Sequence, residues 1–200
     1  MKGVVFTEFS ELVEEQFGLQ MLDDLLSSCP LESGGIYTAV GTYDCQELIT
    51  LVTELSRRTG IATDELVVAF GEFLFARLAS GAPQFCENIA TVGEFLGTIE
   101  GVIHVEVRKL YPDAQLPSLN CRQLSETETE LLYRSNRPLA AFAEGLIRGC
   151  AAHFGETFEL QREDLPGAPG TCARFVYRKL PVTVGENDHC CNSGTTGSAR

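Results

Sequence analysis

The residues able to do chemistry in this chain are a few histidines and one short polar run. His104 falls inside an otherwise apolar stretch, Val102-Ile103-His104-Val105, within a segment of helical period over 92–111. On an α-helical wheel Gly97 and Gly101 lie on nearly the same face as His104, because steps of four and three cover small angles. Two positions without side chains beside an imidazole make a flat, recessed strip. That strip suits a planar prosthetic group with the histidine as axial ligand; a hydrogen-bonded core histidine fits the same spacing. The polar run is Tyr133-Arg134-Ser135-Asn136-Arg137. On a strand leading to a helix, Tyr133, Ser135 and Arg137 project to one side. A phenol, a hydroxyl and a guanidinium supply the donors that a pair of carboxylates needs, although an exposed polar strand face has the same pattern.

The remaining candidates are weaker. His153 sits in the last turn of an expected helix over 138–154, where the dipole favours a cation. His189 adjoins Cys190 and Cys191 in a polar tail, a soft-metal set without fixed geometry. The 8 cysteines (29, 45, 86, 121, 150, 172, 190 and 191) are scattered with no CxxC, and read as reduced, mostly buried small hydrophobes. No GxSxG, HExxH, P-loop or GxGxxG occurs, so the chain does not read as an enzyme.

Placing these residues takes a helical half and a sheet. Helical spacing predicts helices over 4–17, 20–28, 44–58, 64–79 and 92–111, with one or two further turns at 84–90. Asp44 and Glu47 read as a capping pair, Thr63 as an N-cap, and Pro112 as a stop. Strand-like segments follow at 119–124, 128–135, 157–161 and 173–180, with Pro138 in the first turn of a helix reaching Phe154. The fold class is α+β: a helical N-terminal half packed on a four-stranded antiparallel sheet that carries one long helix. A single domain is expected over 1–183 and a disordered polar tail over 184–200.

The composition agrees with one globular domain: 200 residues, 44% hydrophobic and 22% charged. With 15 Lys+Arg against 28 Asp+Glu the net charge is −13, which gives no electrostatic reason to bind nucleic acid or an anionic lipid surface. The N-terminus is too briefly apolar for a signal peptide, and no stretch approaches the roughly 18 apolar residues of a membrane span, so a cytoplasmic location is expected.

Several segments together resemble the H-NOX family, the haem nitric oxide/oxygen-binding domains related to the sensor domain of soluble guanylate cyclase. They are MKGVVF at 1–6, AFGEFLF at 69–75, VIHVEVRKLYP at 102–112, Y-x-S-x-R at 133–137 and AEGLIRG at 143–149. The resemblance covers about residues 1–182. It implies haem b sandwiched between the helical half and the sheet, with His104 as proximal iron ligand. It also implies that Tyr133, Ser135 and Arg137 bind the propionates and that Pro117 presses on the macrocycle and keeps it non-planar.

The same resemblance puts Val5, Phe9, Leu74 and Phe142 in the distal gas pocket, with Phe142 where O2-binding members carry a tyrosine. Bound O2 needs a hydrogen-bond donor and bound NO does not, so an apolar pocket implies NO and CO as ligands and exclusion of O2. In the family's mechanism NO weakens the Fe–His104 bond, the haem relaxes against Pro117, and the helical half shifts relative to the sheet. The expected partner is a separate histidine kinase or cyclic-di-GMP enzyme, and the acidic surface suits a basic docking face. Some members carry a zinc site near Cys172, but the loop LPGAPGT lacks the expected His and second Cys. Zinc is therefore not expected unless His189, Cys190 and Cys191 fold back. An O2-binding haem sensor, a zinc or thiol redox sensor, an oxygen-handling enzyme and a haem-free interaction domain are the alternatives.

Overall fold

Apolar residues spaced by three and four wind the first half of the chain into helices. The computed structural model describes residues 1–166 and 170–181, and the expected tail lies outside them. Helices α1 (Gly3–Phe17), α2 (Leu19–Ser28), α3 (Cys45–Thr59) and α4 (Thr63–Gly81) come first. A 3-10 turn at Pro83–Phe85 leads to α5 (Val92–Thr98), a π turn (Ile99–Ile103) and α6 (His104–Leu110). Strands β1 (Ser118–Gln123) and β2 (Glu128–Ser135), helix α7 (Ala140–His153), and strands β3 (Phe158–Asp164) and β4 (Thr171–Lys179) complete the order.

Local chemistry sets the boundaries. Asp44 caps α3, its carboxylate accepting from Gln46 N at 2.9 Å. Gly60 closes α3 in the left-handed region at φ 76°, where only glycine is free of a Cβ penalty. Two expectations change. Ala62, not Thr63, is the N-cap of α4, and it gives no side-chain bond. Glu47 does not close a capping box; its buried carboxylate accepts from Ser33 N, Ser33 Oγ and Tyr37 OH instead, hanging the 30–44 loop on α3. A buried carboxylate must find partners, and these three outcompete one amide at the helix end.

The sheet order is β1-β2-β4-β3, antiparallel throughout. Period-2 alternation puts Leu131 and Tyr133 of β2 beside Phe175 and Ala173 of β4 on one buried face. That face packs with α5, α7 and the end of α4 into one apolar cluster. A second cluster is built from α1 to α4 around Phe6, Phe9, Leu51 and Phe70. Each fully buried Phe contributes about 1.5–3 kcal/mol. Leu146 on α7 packs against both clusters, so α7 lies at their seam. Helices α4 and α7 cross closely: a Cβ on Gly71 would sit 2.6 Å from Phe142 O, and one on Gly145 would overlap Val68 O.

Candidate functional site

His104 opens α6 immediately after the π turn. The preceding rod is started by a capping pair not foreseen in the sequence: Thr91 Oγ1 accepts from Glu94 N at 3.2 Å, and Glu94 Oε2 accepts from Ala90 N at 2.8 Å. The His104 side chain is buried, and its Nδ1 lies 3.1 Å from Glu100 Oε2. An ionised carboxylate only accepts, so Nδ1 carries the proton and Nε2 keeps its lone pair. Burial pushes the His104 imidazole below its ordinary pKa, against the opposing pull of Glu100. Burial also acts to raise Glu100, but hydrogen bonds from Leu119 N, His104 and Arg108 outweigh it and hold that carboxyl low.

The flat strip expected on this helix needs correction. Gly97 and Gly101 are exposed and border open space, where an added Cβ would meet nothing within 4 Å, whereas His104 is buried. The expectation assumed an α-helical wheel, and the π turn at 99–103 takes more residues per turn. The three positions therefore do not form one uniform face.

Tyr133 is buried on β2, paired with Leu119 of β1 and Ala173 of β4. Its phenol is pushed up by burial, against the opposing pull of Ser135 and the nearby Arg137 charge. Ser135 Oγ accepts from Arg137 N at 3.1 Å, folding the chain back on itself just past the strand end. The structure thus brings the phenol, hydroxyl and guanidinium together. The guanidinium of Arg137 donates to Gln115 O (2.7 Å) and Gln115 Oε1 (3.2 Å), two residues ahead of half-buried Pro117. Position 117 precedes β1, whose Leu119 N donates to Glu100 Oε2 at 3.2 Å.

On the opposite side, Phe9 and Leu74 are buried, with Val5 and Phe142 half-buried against the same helical cluster. Phe70 links them: its ring centroid is 5.3 Å from Phe9, edge-on, and 5.2 Å from Phe142. The α1 hydroxyls are spent on the helix itself, Thr7 Oγ1 on Val4 O and Ser10 Oγ on Phe6 O. All 5 tyrosines are engaged elsewhere. Tyr37 OH donates to Glu47, Tyr43 OH accepts from Thr38 N, Tyr177 OH donates to Glu156, Tyr111 lies under Lys2, and Tyr133 is buried in the sheet-side cluster.

These side chains fit a haem. One buried imidazole has its outer nitrogen satisfied, and the donors Tyr133, Ser135 and Arg137 stand at one sheet end. Phe9 and Leu74 belong to one apolar cluster, and Tyr133, Ile99 and Ile103 to the other or its rim, which gives a planar guest two greasy walls. The zinc alternative gains nothing. Cys172 is buried on β4, while His189, Cys190 and Cys191 lie outside the described residues. Among the described residues no group of three or more His, Cys, Asp or Glu is placed to hold a metal.

The family model for haem-NO-binding proteins matches residues 2–162. Three solved structures are similar to this chain. An H-NOX protein from Shewanella woodyi, bound to IWP-051 in the Fe(II)CO state, is 43% identical over 94% of this chain and 98% of its own, with TM-score 0.77. The Fe(II) unliganded H-NOX protein from K. algicida is 36% identical over 90% and 97%, with TM-score 0.84. An S. oneidensis H-NOX protein in the Fe(II)NO state is 29% identical over 90% and 100%, with TM-score 0.80. No curated protein matches. The chain belongs to the haem-NO-binding, or H-NOX, family, whose members are haem-binding gas-sensor domains. Among the described residues no helix is long and apolar enough to cross a membrane.

Glu100, Gln115 and Phe70 were not singled out as site residues from the sequence. Glu100 had a legible signal, a carboxylate four residues before the histidine on one helix. Gln115 had none, because its contact with Arg137 spans 22 residues. Phe70 reads only as core.

Proposed function

We propose that this chain is a sensor built on haem b that takes NO and CO and turns O2 away. The absence of any CxxC for covalent attachment supports the b type. When bound, the haem supplies an iron centre open to diatomic gases. His104 would hold the iron through Nε2, and Tyr133, Ser135 and Arg137 would hold the propionates. Pro117 would lie against the macrocycle, and Val5, Phe9, Leu74 and Phe142 would line the gas side.

The observation that carries selectivity is the apolar wall around Phe142, with every tyrosine committed elsewhere. A bound O2 draws charge and asks for a donor worth about 1.5–3 kcal/mol. Val5, Phe9, Leu74 and Phe142 offer none, while NO and CO need no such donor. Signalling would follow from freeing His104, which lets α6 move relative to β1 and shifts the helical half against the sheet. The family resemblance supports a histidine kinase or a cyclic-di-GMP enzyme as the partner, with the domain in the cytoplasm and doing no catalysis of its own.

Visible spectra of the reduced protein under argon, air, CO and NO test this reading. The Soret band should move under CO and NO and stay put under air; an oxygenated spectrum in air would refute the selectivity. His104→Ala should lose pigment and gas response. Pro117→Ala should flatten the haem, read from the out-of-plane modes in resonance Raman; unchanged distortion would remove Pro117 from the site.

A further inference from the structure

The carboxylate of Glu100 stands at a junction that the reading above leaves unused. Its Oε2 accepts from His104 Nδ1 at 3.1 Å and from Leu119 N at 3.2 Å, while Oε1 accepts from Arg108 at 3.4 Å. Glu100 lies four residues before His104, a spacing that lets the two side chains meet along the helix, and the backbone N–H of Leu119 on β1 reaches the same oxygen. Leu119 in turn is the sheet partner of Tyr133 and sits two residues after Pro117. One side chain thus touches the expected axial ligand and the strand that begins beside Pro117 and pairs with Tyr133.

We infer that Glu100 is the positioning residue of the proximal histidine, fixing its tautomer and strengthening its grip on iron, and that it transmits the state of that bond to β1. The inference rests on His104 being the iron ligand. A carboxylate accepting from the outer nitrogen gives the imidazole imidazolate character and makes Nε2 a stronger donor. It also locks the ring plane, since Glu100 is itself held by Leu119 N and Arg108. Such a brace opposes release of His104 when NO binds, so this chain needs a longer NO exposure to switch than it would without Glu100. When the histidine leaves, Glu100 loses one of three partners, and the pull on Leu119 N changes beside both Pro117 and Tyr133.

The experiment compares haem-loaded wild type, Glu100→Gln, Glu100→Ala and Arg108→Ala. The readouts are the ferrous Fe–His stretching frequency, the haem reduction potential, and the rate at which the NO complex loses its histidine signature. Glu100→Ala should lower the frequency, raise the potential and speed histidine release by about 10- to 100-fold, the range by which outer partners change a ligand's grip. Glu100→Gln keeps an acceptor without the charge and should fall between; it carries the test if the alanine variant fails to fold. Arg108→Ala removes one of the two groups that hold Glu100 but leaves its carboxylate on His104, so it should shift the frequency by less than Glu100→Ala. Unchanged frequency and potential in a folded, haem-loaded Glu100→Gln would overturn the inference, as would the full shift in Arg108→Ala. Pigment retained in His104→Ala would instead sink the underlying assignment.

Discussion

On the proposed reading one side chain sets the gas preference, and another sets how the fold answers pH. Phe142 stands half-buried beside Phe70, and if it lines the gas side as proposed, a phenol there would offer a bound gas a donor. Phe142→Tyr should let the reduced protein bind O2. A donor worth about 1.5–3 kcal/mol corresponds to roughly a 10- to 150-fold gain in affinity, measurable by oxygen titration of the Soret band. Tyr177 tests a different property. It is buried, and its OH donates to Glu156 Oε2 at 2.7 Å; burial first and the carboxylate second push its pKa well above the ordinary tyrosine value. A raised folded pKa gives stability that is complete below the unfolded value near pH 10 and is lost as pH climbs through the folded one. Tyr177→Phe should therefore cost about 1.5–3 kcal/mol near neutrality. It should also flatten the alkaline fall in urea-unfolding stability; an unchanged alkaline slope would count against it.

At the level of elements, periodicity made most of the architecture legible. The strand over 128–135 and the helices at 4–17 and 44–58 agree with Glu128–Ser135, Gly3–Phe17 and Cys45–Thr59 to within a residue, because each has one buried face and a clear terminator. Val5, Phe9, Leu74 and Phe142 share the helical cluster, and Ser135 and Arg137 meet just past the end of the strand that carries Tyr133. What stayed hidden depends on backbone hydrogen bonding and distant partners. Glu47 looks like a cap and is spent on a loop 14 residues back, while the helix over 92–111 gives no outward sign of its π turn. One residue added to a regular helix rotates all that follows by about 100°, and a π turn absorbs that addition. Deleting Gly101 should therefore leave a regular helix with His104 still inward and haem loading retained, gaining up to about 1 kcal/mol from the lost glycine. Inserting an alanine after Gly101 should turn His104 away and abolish loading. The ratio of Soret to protein absorbance reads both, and loss of pigment in the deletion would contradict the account.

Over the whole molecule, Lys2 closes a surface clasp on Thr42 (2.7 Å) and on Asp113 (2.9 Å), tying the start of α1 to the segment after α6. Exposed ion pairs of this kind are each worth about 0–1 kcal/mol, a minor tie beside the α4–α7 crossing, where both helices feed both hydrophobic clusters. Two interiors held by so close a crossing melt as one cooperative unit. A guest lodged along the seam binds only when both are folded, so it stabilises that unit by mass action. Scanning calorimetry of pigment-free protein should show one endotherm, and haem loading should raise its midpoint; two resolved endotherms would contradict the shared crossing. A haem seated there would be the keystone of the thermal architecture, its loss felt as a lower melting temperature of the whole chain.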